Sequence, residues 1–316
     1  KYRKPITINN TQNTNTLTDY QVLITLDTQT LISQGKMNSD CSDIRFTDSD
    51  GTTLLNYWIE SGCNTTNTRI WVKVPSIPAS STKTIYVYYG NPSATSLSNG
   101  DNTFIFFDDF EIDRGWTYSE NGAPWSGGYT TAQYASPTHS YNVNFPYNTA
   151  GSPGYYARIT KTITAPGTQV MVELKVNNGY TGVGAGYYFH QVYLAGTLLL
   201  EVDANSIYGW TSFSLVSTPP AGPQSLILQA YLKQSVTNFG IDMWWDDVRI
   251  RKYTSPEPAT SVGTEEVNYA PQITIYIPLN QTYFLSNFSF GFSVSDDRNT
   301  SFVVIAYLNG NVIYQN

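Results

Sequence analysis

The sequence predicts an all-β protein built as β-sandwiches in series. Two runs alternate with period 2, Val170, Val172, Leu174 and Val176, then Leu226, Leu228, Ala230 and Leu232. Such alternation is the pattern of a strand with one buried face. Clusters of Asn, Thr, Ser, Gly and Pro separate this and the shorter apolar runs as turns. Across residues 2–90 helical periodicity is absent, apart from one short turn at residues 31–37.

The bulk composition narrows the class. At 316 residues the chain is long enough for two to three domains. Charged residues make up 13%, about half the usual share, so hydroxyls and amides must keep the surface wet. A net charge of -7 with no basic stripe argues against nucleic acid. No run of 18 or more apolar residues occurs, so no helix within the chain is expected to span a membrane. Lys1-Tyr2-Arg3-Lys4 leads straight into a strand, as a processed N-terminus would.

The first block, residues 1–103, contains strand candidates at 2–8, 21–26, 43–46, 53–59, 69–74 and 83–89. They suggest a compact antiparallel sandwich. Asp48-Ser49-Asp50-Gly51 lacks the later acidic ligands of a calcium loop and reads as a hairpin turn. Cys41 and Cys63 are the two cysteines, and both fall in this block. A disulfide closing that loop is expected to contribute about 3 kcal/mol, and free thiols are the alternative. Sequons at Asn9, Asn64, Asn280, Asn287 and Asn299 join the cysteines in pointing to an extracellular, glycosylated protein.

The second block, residues 104–262, opens on Phe106-Phe107-Asp108-Asp109-Phe110-Glu111 and closes on Trp244-Trp245-Asp246-Asp247-Val248-Arg249-Ile250. Strands at 155–164, 169–176, 186–194, 198–203, 209–215, 225–232 and 238–251 suggest a jelly roll. If the opening and closing segments pair, their carboxylates come together and need a cation. By strand parity Asp109 shares a side with Glu111, and Asp246 shares one with Val248 and Ile250. The expected ion is a structural calcium held by Asp109, Glu111 and Asp246. The alternative is that these acids lie in water or pair with Arg114, Arg249 or Arg251. The same parity makes Trp244 a core residue and puts Trp245 on the opposite face.

Residues 263–269 read as a linker. Beyond it, strands at 272–277, 288–295, 302–308 and 312–314, with a turn at Asn309-Gly310, form an incomplete third domain, residues 263–316. Its apolar rows (Phe288, Phe290 and Phe292; Val303, Ile305 and Tyr307) lack the chain to cover them. Strand addition from a neighbouring subunit would close it and, head to tail, build a filament. Alternatively the missing strands belong to the same polypeptide.

Several motifs carry resemblances. In order they are Tyr2-Arg3-Lys4-Pro5-Ile6-Thr7-Ile8, Ser42-Asp43-Ile44-Arg45-Phe46-Thr47-Asp48, Tyr57-Trp58-Ile59-Glu60, Ile70-Trp71-Val72-Lys73-Val74-Pro75 and Thr84-Ile85-Tyr86-Val87-Tyr88-Tyr89-Gly90-Asn91-Pro92. Over residues 1 to about 110 they resemble a domain-of-unknown-function family of archaeal and bacterial secreted surface proteins. That family has no established activity, so the resemblance implies location rather than chemistry. Phe110-Glu111, Gly115-Trp116, Gly209-Trp210-Thr211 and Asp246-Asp247-Val248 resemble jelly-roll carbohydrate-binding modules, in which such acids hold a structural calcium. The last block resembles the start of an immunoglobulin-like domain.

Catalysis is not expected. His139 and His190 share no zinc-binding spacing, and no nucleophile elbow or phosphate loop is present. The sequence favours a structural subunit of a surface filament, sheath or adhesive layer that self-associates. The alternative is a glycan-binding adhesin or accessory module of a secreted glycoside hydrolase. Trp125, Tyr129, Tyr134, Tyr187, Tyr188 and Trp210 would then supply stacking rings, unless they serve as core.

Overall fold

The computed structural model describes residues 2–122, 124–179 and 184–267, and beyond them four strands. The first sandwich is formed by β1 (Tyr2–Asn9), β2 (Leu17–Leu26), β3 (Arg45–Thr47), β4 (Leu54–Leu55), β5 (Tyr57–Ser61), β6 (Thr68–Ile77) and β7 (Thr82–Tyr89). A short helix α1, Thr28–Ser33, is capped by the Asp27 carboxylate. Strands β1-β7-β3-β4 form one sheet, and β2-β6-β5 face it. Alternate residues point inward, so Ile6, Ile8, Val22, Ile24, Ile70, Val72, Ile85 and Val87 are buried in one core. Each such side chain contributes about 1.5–3 kcal/mol of burial.

Cys41 and Cys63 are bonded, with Cα atoms 6.1 Å apart. The disulfide ties the turn after α1 to the loop between β5 and β6.

A second short helix, α2 (Gly100–Thr103), leads into the second sandwich. Its strands are β8 (Phe106–Asp108), β9 (Thr117–Asn121), β10 (Ser126–Thr130), β11 (Ser140–Gly151), β12 (Tyr156–Ala165), β13 (Val170–Gly179), β14 (Tyr188–Leu194), β15 (Thr197–Asp203), β16 (Thr211–Ser217), β17 (Gly222–Leu232) and β18 (Val236–Lys252). One sheet runs β10-β11-β18-β13-β16, and the other runs β15-β14-β17-β12-β9. The opening and closing segments do pair, with Asp108 opposite Val248 and Phe106 opposite Ile250.

Parity inside β18 departs from the sequence expectation. Lys175 pairs with Asp246 and Glu173 with Arg249, so Asp247 and Val248 together oppose Leu174 alone. This is a β-bulge, and Asp247 takes the left-handed φ of 50° that such an insertion can require. The bulge reverses the side-chain row. Met243 and Trp245 face the core before it, and Val248 and Ile250 after it. Trp245 is therefore the core residue, Trp244 lies on the outer face, and Asp246 does not share a side with Val248 and Ile250.

The chain then returns to the first sandwich. β19 (Ala259–Val262) pairs along β1, with Ile6 opposite Val262 and Asn9 opposite Ala259. β20 (Glu266–Val267) continues along the same strand, opposite Arg3 and Tyr2. Lys36 and Tyr89 both reach Glu265, at 2.5 and 2.7 Å. Residues 259–267 thus complete the first sheet, rather than ending the second block and linking to a third. Reading the chain in order hides such a pairing, since its partners are some 250 positions apart.

Two further antiparallel pairs follow: β21 (Gln272–Ile277) with β22 (Gly291–Ser295), and β23 (Ile305–Leu308) with β24 (Asn311–Gln315). The side-chain rows expected to need a covering strand, and the Asn309-Gly310 turn, lie outside the described residues.

Candidate functional site: the outer face of the second sheet

Strands β12, β14 and β17 alternate strictly. Ala157, Ile159, Val192, Leu194, Leu228 and Ala230 enter the core. The intervening positions must point outward, and register brings them into rows. Ser119 lies opposite Arg158, Arg158 opposite Gln229, Gln229 opposite Gln191, and Gln191 opposite Glu201. One polar residue from each of the five strands therefore forms a line across the sheet.

Hydrogen bonds join the line in two segments, Ser119 with Arg158 and Gln229 with Gln191 and Glu201. Arg158 Nε donates to Ser119 Oγ at 3.1 Å, and Gln229 Nε2 donates to Gln191 Oε1 at 2.7 Å. The Tyr193 hydroxyl donates to the same Gln191 oxygen at 3.0 Å, while Gln191 Nε2 donates to Glu201 at 2.7 Å. Lys233 and then Gln191 hold the Glu201 carboxyl below its ordinary pKa.

Aromatic rings flank this line. Tyr156, Tyr231 and Phe189 stand in the next row, half-buried and in mutual register. Tyr193 stands on the other side. Arg158 lies 4.8 Å from the Tyr156 ring centroid, and Lys233 lies 4.7 Å from that of Phe189. Gln191 and Gln229 retain only 4% and 7% exposure on an outer face, which sets them in the floor of a polar trough between rings. Such an arrangement offers amide, guanidinium and carboxylate groups to hydroxyls, and ring faces to C–H surfaces.

The rings singled out from sequence lie elsewhere. Trp125 is buried in the core against Phe145 at 4.9 Å, and Tyr188 is fully buried. Tyr187 packs partly buried on the same core. Tyr129 lies among Phe110, Tyr141 and the hydroxyl acceptor Asp113. Tyr134 is exposed in the loop before β11, and Trp210 is half-buried before β16. None lies in the rows of the trough. The trough residues were visible only as the polar half of alternating strands; register alone aligns them.

The acidic segments converge on one loop. Asp246 accepts from the backbone N–H of Ala135 and Ser136 at 2.7 and 3.0 Å, and from Asp247 N–H at 2.7 Å. Burial, followed by the neighbouring Asp247 charge, pushes its pKa up to about 7. Glu111 accepts from His139 N–H at 3.0 Å and from the Thr138 hydroxyl. Ser136 Oγ bonds Asp246 at 3.2 Å and approaches the Asp109 carbonyl at 3.5 Å. The oxygens suit a hard cation. As arranged they form a hydrogen-bonded clasp, and among the described residues no three His, Cys, Asp or Glu side chains are grouped to hold a metal. Arg114, an alternative partner, instead approaches Asp108 at 3.4 Å and bonds Asp101 at 2.7 Å.

Of the sequons, Asn9 and Asn64 are exposed. Asn280, Asn287 and Asn299 lie outside the described residues.

Residues 40–119 match the model of a domain of unknown function (DUF2341). No curated protein matches. A carbohydrate-binding module of the β-sandwich superfamily aligns with 75% of this chain and 99% of its own, at 15% identity and TM-score 0.36. The xylan-binding CBM22-1 domain of Paenibacillus barcinonensis Xyn10C aligns with 48% and 96%, at 12% identity and TM-score 0.33. TmCBM61, solved with β-1,4-galactotriose, aligns with 44% and 90%, at 10% identity and TM-score 0.32.

Proposed function

We propose that this chain is an extracellular, non-catalytic glycan-binding protein whose ligand lies in the trough on β15-β14-β17-β12-β9. The observation that carries this reading is the five-strand polar line Ser119, Arg158, Gln229, Gln191 and Glu201, flanked by half-buried Tyr156, Tyr231, Phe189 and Tyr193. The bonded cysteines support an oxidising compartment. Calcium at Asp109, Glu111 and Asp246, and glycans on Asn9 and Asn64, are carried as proposals.

A glycan array probed with the whole chain tests the reading. Binding is expected, and Tyr231→Ala is expected to weaken it about tenfold or more with little change in melting temperature, whereas Gln191→Ala should weaken it while also costing about 1–3 kcal/mol of stability, because it unpairs the buried Gln229 amide. Binding indifferent to both substitutions would remove the trough as the site. The filament-subunit reading rests mainly on side chains outside the described residues, and no described feature adds to it.

A further inference from the structure

A second cavity lies where the two sandwiches meet. It is a half-open cleft of about 390 Å³, within the range of small-ligand sites. The first sandwich supplies Trp58, Glu60 and Arg69, and the second supplies Glu173, Lys175 and Arg249. Neither domain makes it alone.

The charges in this cleft are already matched. Glu60 meets Arg69 at 2.7 Å and Arg249 at 2.6 Å. Glu173 meets Arg249 at 2.7 Å, and Lys175 meets Asp247 at 2.7 Å. Three acids thus face three bases. An anionic or cationic ligand would have to break a pair, at a desolvation cost. A neutral ligand need not. Guanidinium groups and carboxylates keep donor and acceptor capacity beyond one partner, and the exposed hydroxyls of Ser212 and Ser214 add more along the β16 rim. Trp58, half-buried in the lining, offers a ring surface beside them.

We infer that this interdomain cleft is a second saccharide site, selective for a neutral sugar residue. It is separate from the trough and shares with that reading only the ligand class. Binding here would engage both sandwiches at once, which the trough does not.

The test counts sites by calorimetry on the whole chain, using the best neutral oligosaccharide from an array that also displays uronic-acid oligosaccharides. Two variants separate the sites: Tyr231→Ala in the trough, and Ser214→Trp, which fills the cleft from an exposed position. Two sites per chain are expected. Ser214→Trp should remove one or weaken it at least about tenfold, with an unchanged melting temperature, and Tyr231→Ala should remove the other. One site, lost in Tyr231→Ala and untouched by Ser214→Trp, overturns the cleft while the trough stands. A site sensitive to Ser214→Trp that prefers uronic acids overturns its neutral selectivity. No binding to any neutral glycan overturns the cleft, and no binding to any glycan on the array overturns the trough as well.

Discussion

Arg249 Nη2 stands 2.6 Å from Glu60 Oε1, joining the closing strand of the second sandwich to β5 of the first. The same guanidinium lies 5.3 Å from the Trp71 ring centroid and 5.6 Å from those of Trp58 and Phe104. Burial alone would raise the Glu60 carboxyl, but Arg249 and Arg69 hold it below its ordinary value. Arg251 repeats the device beside it, with Glu173 at 3.1 Å, Glu257 at 2.6 Å and the Trp71 ring at 4.5 Å. The junction is a stack of guanidinium groups and rings, closed at its edge by Trp58, Trp71, Phe104 and Phe107.

Glu173 serves both arginines, so its removal tests the junction. Glu173→Ala is expected to cost about 3 kcal/mol, the low end for a broken buried pair, since each arginine keeps a second carboxylate. Denaturant unfolding measures it. A loss under about 1 kcal/mol would mean the network behaves as a surface one.

The disulfide makes a second prediction. Cys41→Ser with Cys63→Ser should lower stability by about 3 kcal/mol, the loop-closure value for a separation of this order. Thiol labelling of the denatured native chain, without reductant, should find none reactive. Two reactive thiols would refute the bond.

These features differ in how far the sequence revealed them. The strands around Val172 and Leu228 were legible because apolar residues recur at every second place. β11 was not, since Asn142, Asn144 and Pro146 read as loop until β18 supplies its partner. There Gly240 passes so close to β11 that a Cβ would lie 2.5 Å from Tyr147 N. The bulge at Asp247 escaped for a different reason. One inserted residue reverses the row, and nothing in Trp244-Trp245-Asp246-Asp247-Val248 marks where. The trough required register, which composition does not contain.

His190 gives a pH prediction. It is fully buried in the second core, 6.0 Å from the Trp245 ring centroid. Burial lowers its pKa from 6.5 to about 3. Below pH 6.5 the unfolded chain takes up a proton that the folded chain refuses. This contribution is therefore intact above pH 6.5 and is lost as pH falls toward 3, at about 1.4 kcal/mol per unit. His190→Leu should flatten the acid limb of stability against pH. An acid limb unchanged by the substitution would assign it to other groups.

Calcium in the clasp is the last prediction, and it must compete with the protein's own donors. Asp246 lies fully buried beneath the loop that carries Ala135 and Ser136, and Glu111 grips the same loop at His139. An ion shared by these carboxylates and Asp109 would bind only the folded state, so it would stabilise by mass action. Removing divalent ions should then lower the melting temperature of the second sandwich, and added calcium should restore it. Asp246→Asn should abolish that response, because an amide keeps the shape but loses the charge. The hydrogen-bonded clasp predicts otherwise: chelator leaves the melt unchanged, and Asp246→Asn costs stability equally with and without calcium. The difference between those two melting series decides whether the recurrence of acids at both ends of this sandwich marks an ion or a loop fastening.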